Sequence, residues 1–320
     1  MREVVIGVDL GATKILTGAI TTGGQILAKA KFPTCSGERD AGEILDLISN
    51  SIIKTIEDNC FAEDEIRGIA VAAPGPLSYP DVEVVDSPNL GWSKLFLKDE
   101  LCRRLGRQVI VEKDTNMAVL GEYFFGQRYN CRCLLYITVS TGIGGGIMID
   151  GKLYRGSGGG AGEFGHMVLD PRGPKCKCGR HGCWEALASG TAIAREAAGF
   201  VSQGKGEGIL ANCAEGEQIG AREVGDAARK GDPEASAIIL RASRYLGIGI
   251  ANLVNIFNPD TVVLGGGVAL GLQDLFYDSL LEHVCNNVFA LNSRNLKIEM
   301  TKLGNDIGLW GCLASVLYSP

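Results

Sequence analysis

Three cysteines lie within eight residues of the segment PKCKCGRHGCWE, at Cys176, Cys178 and Cys183, and His166 lies ten residues before the first of them. Three thiolates and one imidazole form the tetrahedral ligand set of a closed structural zinc site, which leaves no open position for water. The glycines of the segment allow the chain to curl around an ion. We therefore predict a structural Zn²⁺ bound by His166, Cys176, Cys178 and Cys183.

Two other interpretations of the cysteine segment stay open. His181 lies inside the loop and competes with His166 as the fourth ligand, although its neighbours Arg180 and Gly182 indicate an exposed turn. The cysteines are alternatively free thiols on a mobile loop. A redox pair is disfavoured, because the two-residue spacer of a thioredoxin-like motif is absent.

Two glycine loops are suited to hold phosphate. In DLGATK, Asp9 offers a carboxylate for Mg²⁺, Gly11 lets the backbone approach a ligand, and Thr13 offers a hydroxyl. In STGIGGG, hydroxyls precede glycines whose N–H groups can form an anion nest. Neither loop is a Walker A motif, because the lysine-serine ending is missing. For either loop alone, the alternative is a plain glycine-rich hairpin.

A third glycine run, LGGGVA at 264–269, follows an apolar strand pattern. It would let the backbone pack against adenine and ribose, and its alternative is a strand-to-helix turn. The three loops together predict binding of a nucleotide, with Mg²⁺ at Asp9. The predicted nucleotide-binding residues are Asp9, Gly11, Ala12, Thr13, Lys14, Thr141, Gly142, Gly144, Gly265, Gly266 and Gly267.

The elements that carry these loops form an internal repeat. Alternating patterns predict strands over 4–9, 14–20 and 26–32, and the same order of strand, glycine loop, strand, turn and strand returns over 133–156. Helical patterns cover 41–58 and about 233–257. Two such units predict two related α/β domains facing each other across a cleft. Asp114 lies between a predicted strand and a predicted helix. At this position an aspartate can act simply as a helix N-cap.

Composition limits the partners and the compartment. The 320 residues suffice for two domains, and a net charge of −6 gives no electrostatic reason to expect nucleic acid or membrane as a partner. Eleven cysteines, an odd number scattered through apolar segments, favour reduced thiols in the cytoplasm. The strand pattern begins at residue 4, so no signal peptide is expected.

The motifs together resemble the ROK sugar kinases (repressors, open reading frames, kinases), and among them the glucokinases of bacteria and archaea. The resemblance runs from DLGATK through APGPL, SPNLGW, EKDTNMAVLGE, STGIGGGI, GAGEFGHM, CKCGRHGCWEALASG and VLGGGVA to LGNDIGLWG. It implies two ribonuclease H-like domains of the actin, hsp70 and hexokinase type around a cleft. We expect a small domain at 1–117, joined by a C-terminal helix at about 306–320, and a large domain at 118–305 that carries the zinc loop.

The resemblance also implies roles for single residues. Asp114 matches the catalytic base that takes the proton from the primary hydroxyl of the sugar. The other residues expected on the sugar side are Gly75, Asn89, Glu163, His166 and Glu185. Paired carboxylates and an imidazole suit a polyhydroxyl ligand, because a site built for hydroxyls rejects analogues that lack one.

This chain departs from the family's commonest pattern at two positions. Ala12 stands where glycine is usual, which should preserve the turn, and Lys113 stands where many members carry an asparagine that touches the sugar.

The favoured function is ATP-dependent phosphorylation of a hexose, glucose above all, by a homodimer or homotetramer. The alternatives are a kinase for fructose, mannose, N-acetylglucosamine or N-acetylmannosamine, and a sugar-responsive repressor. The repressor would need a DNA-binding helix-turn-helix, and only three residues precede Val4. An hsp70-like or actin-like ATPase would not account for the cysteine cluster.

Overall fold

The computed structural model of the chain describes residues 3–35, 37, 39–80, 82–87, 91–126, 130–214 and 218–318. The chain divides into two compact units. The first contains Met1–Cys131, Gly146–Gly162 and Asn305–Pro320, and the second contains Arg132–Gly145 and Glu163–Gly304. The first unit therefore holds two stretches, 118–131 and 146–162, beyond the predicted small domain. The bounds of the functional domains stay a prediction.

Twelve strands occur in the part of the chain that the structure describes. In chain order they are β1 (Val4–Leu10), β2 (Lys14–Thr21), β3 (Ile26–Pro33), β4 (Ile66–Ala73), β5 (Glu83–Ser87), β6 (Trp92–Phe96), β7 (Val109–Lys113), β8 (Cys133–Val139), β9 (Ile143–Ile149), β10 (Lys152–Leu153), β11 (Thr261–Gly265) and β12 (Lys297–Met300).

Eleven α-helices lie between and after these strands over the same described ranges. They are α1 (Ala41–Asp58), α2 (Leu97–Leu105), α3 (Asp114–Phe125), α4 (Trp184–Ala188), α5 (Gly190–Ser202), α6 (Glu207–Leu210), α7 (Ala221–Arg229), α8 (Pro233–Phe257), α9 (Gly267–Gly271), α10 (Gln273–Asn287) and α11 (Ile307–Tyr318).

The two five-stranded sheets share one plan. The first has the order β3-β2-β1-β4-β7, in which β1, β2 and β3 are antiparallel and β4 and β7 run parallel to β1. The second has the order β10-β9-β8-β11-β12, with β11 parallel to both β8 and β12. The predicted α/β repeat is therefore confirmed, and each sheet adds two parallel strands to a three-stranded meander.

The helix α1 illustrates how local sequence fixes an element. Asp40 and Glu43 form a capping box, in which each side chain accepts a hydrogen bond from the other's backbone N–H, both at 2.9 Å. The buried face carries Ile44, Ile48 and Ile52 at four-residue spacing, and these join the core beneath the first sheet. The predicted bounds of this helix, 41–58, agree with the structure.

The long helix α8 forms the centre of the second unit's helical layer, where it packs against α4, α5, α7 and α10. Its length and composition alone would permit a membrane span, but 61% of its most apolar window is buried inside the protein. Gly249 lets the ring of Trp184 approach, because an added Cβ would lie 2.2 Å from that ring. The apolar character of α8 is thus explained by packing within the unit.

The C-terminal helix α11 packs on the first sheet and on α3 through glycines. A Cβ at Gly7, Gly18 or Gly68 would lie 2.9, 2.8 or 2.9 Å from side-chain atoms of α11. A Cβ at Gly311 would lie 2.1 Å from the carbonyl oxygen of Met117, and one at Gly121 would lie 3.0 Å from the backbone nitrogen of Gly311. The two helices therefore touch backbone to backbone, and neither position has room for a side chain.

We predict that Gly311→Ala lowers the free energy of unfolding by about 1–3 kcal/mol, since the new methyl group must push α3 and α11 apart. The matched control is Gly199→Ala in α5, where nothing lies within 4 Å of the added Cβ. That change should be neutral or stabilise by up to about 1 kcal/mol, because alanine is the better helix former. Urea denaturation of both variants provides the measurement, and equal midpoints would contradict the packing argument.

Candidate functional site

Three of the predicted site residues lie at one edge of the first sheet. Because β1, β4 and β7 are parallel, their carboxyl ends share an edge, and ligands of open α/β sheets bind at such edges. Asp9 is the penultimate residue of β1, Gly75 follows β4 by two residues, and Asp114 directly follows β7. Asn89, also predicted on the sugar side, lies outside the described residues.

The carboxylates of Asp9 and Asp114 interact. Burial raises the pKa of Asp9 from 3.8 to about 6, and the negative charge of Asp114 adds to the rise while Lys14 opposes it. Burial also raises the pKa of the Cys312 thiol to about 12, with a further contribution from Asp9. A divalent cation bound between two neighbouring carboxylates would neutralise their mutual repulsion. This donor chemistry fits Mg²⁺.

Asp114 does not occupy the N-cap of α3, so its alternative role as a helix cap is not the one observed. Lys113 occupies that position and makes no capping side-chain hydrogen bond. Asp114 is the first helical residue, and its Oδ1 accepts the N–H of Thr115 at 2.7 Å. The helix N-terminus stabilises negative charge on the carboxylate.

The first glycine loop is a tight hairpin between β1 and β2. The N–H of Gly11 donates to the carbonyl oxygen of Lys14 at 2.9 Å, and the hydroxyl of Thr34 donates to the carbonyl oxygen of Gly11 at 2.7 Å. Ala12 is not among the described non-glycine residues with positive φ, so alanine fits the turn where glycine is usual in the family. Thr13 is exposed at the tip, where its hydroxyl is open to a ligand.

The second glycine loop brings two predicted groups of residues together. Gly142 lies against Glu185, since a Cβ at this glycine would be 2.8 Å from Glu185 Oε2. The loop is held by Gly190, whose N–H donates to the carbonyl oxygen of Ser140 at 2.8 Å. The Thr191 hydroxyl also donates to the carbonyl oxygen of Thr141 at 2.8 Å. Gly144 lies within β9. A predicted phosphate loop thus contacts a predicted sugar-binding carboxylate.

The third glycine run is a strand-to-helix turn, with Gly265 ending β11 and Gly267 beginning α9. A Cβ at Gly265 would lie 2.2 Å from the Tyr136 hydroxyl, and one at Gly266, where φ is 91°, would lie 2.5 Å from the Val139 carbonyl oxygen. Packing on β8 is therefore sufficient to require glycine at both positions. A plain strand-to-helix turn therefore accounts for the local geometry, and nucleotide binding by this glycine run stays a prediction.

The four predicted zinc ligands cluster. The ligand atoms of His166, Cys176, Cys178 and Cys183 all lie within 4.8 Å of one another. The Sγ atoms of Cys178 and Cys183 are 3.5 Å apart, and His166 Nδ1 is 3.9 Å from Cys176 Sγ. This set has the composition and the compactness of a tetrahedral Cys3His site, so the residues present fit zinc.

The backbone of the cysteine loop explains how the cluster forms. The N–H of Cys176 donates to the carbonyl oxygen of Arg180 at 2.7 Å, which closes a short knuckle. Gly182 has a φ of 66°, and a Cβ there would lie 1.5 Å from the Asp170 carbonyl oxygen. His181 is exposed, and its Nδ1 is 3.2 Å from the carbonyl oxygen of Gly173. The competing ligand is therefore outside the cluster.

Glu185 lies beside this cluster. Its Oε1 accepts the Cys176 thiol at 3.2 Å and is 3.7 Å from His166 Nδ1. Burial raises the pKa of the Cys176 thiol, and the Glu185 carboxylate raises it further. Trp184, fully buried against α8, fixes the chain just before Glu185. Glu185 is thus held through its carboxylate by Cys176 and through its backbone by the preceding Trp184.

Glu163 and His166 share one short turn. A 3-10 turn spans Phe164–His166, and Glu163 is its N-cap residue. A Cβ at Gly165 would lie 2.0 Å from the Ile143 carbonyl oxygen, so this turn is seated closely on β9. Glu163 is exposed, whereas the His166 side chain is 33% exposed. The turn carries an imidazole that faces the cysteines and an exposed glutamate three residues apart.

Lys113, the departure from the family pattern, is buried. Its side chain packs near Gly75, where an added Cβ would lie 3.0 Å from Lys113 Cδ, and its Nζ donates to the Ala161 carbonyl oxygen at 2.8 Å. The period-two pattern of β7 signals this, since Lys113 shares a strand face with the buried Val109 and Val111. No sequence pattern identifies Ala161 as the hydrogen-bond partner of Lys113.

Comparisons with known proteins agree on one family. The ROK family model matches residues 5–318. The chain is 33% identical over 308 residues to a glucokinase from Halalkalibacterium halodurans, which covers 96% of this chain and 92% of that protein. It is 32% identical over 313 residues to a xylose repressor from Caldicellulosiruptor bescii, covering 98% and 78%. The crystal structure of a ROK family glucokinase from Streptomyces griseus in complex with glucose and AMPPNP matches with a TM-score of 0.83 at 33% identity, covering 97% and 98%.

The raised pKa of Asp9 predicts a pH dependence of stability in the absence of divalent cations. The folded state binds this proton more tightly than the unfolded state, so the contribution is present below pH 3.8 and is lost as the pH rises through about 6. A rise of this size corresponds to roughly 3 kcal/mol. Asp9→Asn should remove this loss and unfold at a higher temperature than wild type at pH 7.5.

Thermal unfolding from pH 4 to pH 8 measures the effect, with the exposed Asp58→Asn as the control for removing a charge in the same unit. Parallel pH curves for wild type and Asp9→Asn would show that Asp9 titrates normally.

Proposed function

This chain belongs to the ROK family, and on that premise we propose that it is a hexose kinase that transfers the γ-phosphate of ATP to the 6-hydroxyl of a hexose, with glucose as the preferred substrate. The observation that carries this proposal is the pair of interacting carboxylates, Asp9 and Asp114, at the carboxyl edge of the first sheet beside a glycine hairpin. Phosphoryl transfer needs a base, a cation site and in-line positioning, and little covalent chemistry from the protein.

In the first unit, Asp114 is the proposed general base. Its carboxylate takes the proton of the attacking hydroxyl, and its place in the first turn of α3 puts this negative charge at the positive end of the helix dipole. Asp9 supplies the carboxylate for a cation, and the hairpin at Gly11, Ala12, Thr13 and Lys14, which the Gly11 N–H closes, offers the Thr13 hydroxyl to phosphate. When bound with ATP, Mg²⁺ neutralises charge that develops on the phosphates.

In the second unit, Glu163, His166 and Glu185 are the proposed acceptors and donors for the remaining sugar hydroxyls. Because Nδ1 of His166 faces the cysteines, Nε2 is the nitrogen proposed for a hydroxyl. Bound zinc supplies a fixed crosslink between the turn of His166 and the cysteine loop. The cluster residues thereby hold Glu163 and Glu185 in one arrangement.

The glycine loops of the second unit are proposed to hold the nucleotide. Thr141 is exposed and Gly142 and Gly144 are half-buried, so a phosphate can reach their backbone N–H groups. Gly267 is exposed at the end of the third glycine run, and with Gly265 and Gly266 it is proposed to lie near adenine and ribose.

The hexose is the finer part of the proposal. The glucokinases named above support glucose, and fructose, mannose, N-acetylglucosamine and N-acetylmannosamine are the alternatives. A cytoplasmic location, a homodimer or homotetramer, and the absence of nucleic-acid and membrane partners stay predictions.

A sugar-responsive repressor is the second candidate, because a xylose repressor is 32% identical to this chain. The net charge of −6 is unfavourable for DNA, since specific binding depends on basic groups that neutralise phosphates. Sequence-specific operator binding by this chain would favour the repressor over the kinase.

The proposed function is tested with purified, zinc-loaded protein, Mg-ATP and a coupled assay for ADP over the five sugars. Xylose is the matched control substrate, because it is glucose without the 6-carbinol group and should give no turnover. Asp114→Ala should lower kcat by at least about 10²–10⁴-fold, the usual contribution of a general base, with the Kd for glucose changed less than about three-fold. Turnover of none of the five sugars by folded protein would refute the kinase, and near-normal kcat in Asp114→Ala would remove the base role.

Removing one thiolate should loosen both the metal and the sugar. We predict that Cys178→Ser lowers bound zinc from one per chain to less than a tenth, lowers the melting temperature, and weakens glucose binding at least about ten-fold, because Glu185 and His166 lose their support. Cys285→Ser in α10, also an exposed cysteine, is the matched control and should match wild type. Elemental analysis and calorimetric titration are the measurements. Normal glucose affinity in a zinc-free variant would separate the cluster from the sugar site.

A further inference from the structure

Glu112, the residue before the last of β7, holds three groups with one carboxylate. Its Oε1 accepts the backbone N–H of Lys113 at 2.9 Å and the Nδ2–H of Asn116 at 2.9 Å. Its Oε2 accepts the Nε–H of Arg155 at 2.6 Å. The two groups on Oε1 flank Asp114 in the chain. We propose that Glu112 is a positioning residue that sets the orientation of Asp114, an inference that rests on the proposed kinase function.

The junction around Asp114 depends on such an outside support. Lys113 provides no side-chain cap for α3, so the first turn is not fixed by a local capping hydrogen bond. The Asp114 carboxylate itself accepts the next residue's N–H, which ties its orientation to the backbone of that turn. Glu112 fixes this backbone from the strand side through Lys113 and from the helix side through Asn116. A shift of either would move the carboxylate.

The first turn of α3 contains two buried polar atoms without a hydrogen-bond partner among the described residues. Thr115 Oγ1 and Asn116 Oδ1 are buried and have no hydrogen-bond partner within the described part of the chain. Leaving a buried polar atom without a hydrogen bond is costly, so such atoms are rare in folded proteins. By accepting Nδ2, Glu112 holds the Asn116 amide in its observed orientation. The carboxylate therefore fixes the geometry of this turn.

Arg155 balances the charge of Glu112. The two side chains are 27% and 13% exposed, and the Arg155 guanidinium lies 5.2 Å from the ring centroid of Tyr79. Lys113 binds the same segment at Ala161, and a Cβ at Gly159 would lie 2.4 Å from the Leu77 carbonyl oxygen. The segment 155–161 is thus fixed against the end of β7 and the loop after β4, which gives Glu112 a rigid support.

Glu112 has no contact with the reacting groups in this assignment, so its removal should affect the chemical step and not binding. We expect Glu112→Ala to lower kcat about 10–100-fold, the usual effect of losing a supporting hydrogen bond or about 1 Å of alignment. The KM values for ATP and hexose should change less than about three-fold. Glu112→Gln keeps an acceptor oxygen for Lys113 and Asn116 and should retain more activity than Glu112→Ala.

The matched control is Glu100→Gln, which removes a carboxylate that binds Arg103 and Arg104 on the surface of the same unit. Its kcat should stay within about two-fold of wild type, because Glu100 lies outside the proposed site and Arg104 keeps its ion pair with Asp46. If Glu112→Ala does not fold, Glu112→Gln and Asn116→Ala carry the same comparison. A kcat within three-fold of wild type, or a loss confined to KM, overturns the inference.

Hydrogen exchange of the full-length protein tests the positioning separately from activity. In Glu112→Ala the amides of residues 113–117 should exchange at least ten-fold faster, while those of β1 and β4 keep their wild-type rates. If wild type phosphorylates no hexose, the proposed function fails, and the exchange measurement still decides whether Glu112 orders the Asp114 turn. Unchanged exchange at 113–117 overturns the inference in either case.

Discussion

The contact of α11 with β1 and α3 is the constraint on which the first unit depends. Glycines on both sides remove the side chains between them, so the helix lies directly on the sheet and on the neighbouring helix. The same helix confines Asp9, since a Cβ at Gly308 would lie 2.6 Å from its carboxyl carbon. Burial is the first cause of the raised Asp9 pKa, and α11 is one of the elements packed closely against this side chain. The packing of the C-terminal helix therefore bears on the electrostatics of the site.

Much of the fold can be predicted from the sequence, because strand alternation, helical periodicity and capping residues each lie within a short stretch of the chain. The meander strands, the capped helix α1 and the long helix α8 were predicted close to their observed bounds. The β5–β6 hairpin was not predicted, since its strands flank SPNLGW, which we interpreted only as a ligand-binding segment. Its second strand begins at the buried Trp92, whose large apolar side chain is a sequence signal for a packed element.

Some features of the site can likewise be predicted from short stretches of sequence, whereas others depend on residues far apart in the chain. Cysteine spacing favours a compact cluster, and an exposed turn disfavours His181, so the four clustered residues could be chosen from sequence. The glycines at 265 and 266 show the limit, because contact with β8 requires glycine whether or not a nucleotide binds. The partners of Glu112 and Lys113 lie 43 and 48 positions away, at Arg155 and Ala161, where no periodic pattern connects them.

The place of α11 in the chain also determines the order in which the first unit can be completed. The Cys312 thiol donates to the Val8 carbonyl oxygen across 304 positions of sequence. During synthesis, the glycine-bearing face of β1 therefore emerges long before the helix that covers it, and the whole second unit is made in between. Closing a contact of such sequence separation carries a large loop-closure entropy. Because α11 packs against Asp9, the environment of this carboxyl group cannot be complete until α11 has been synthesised.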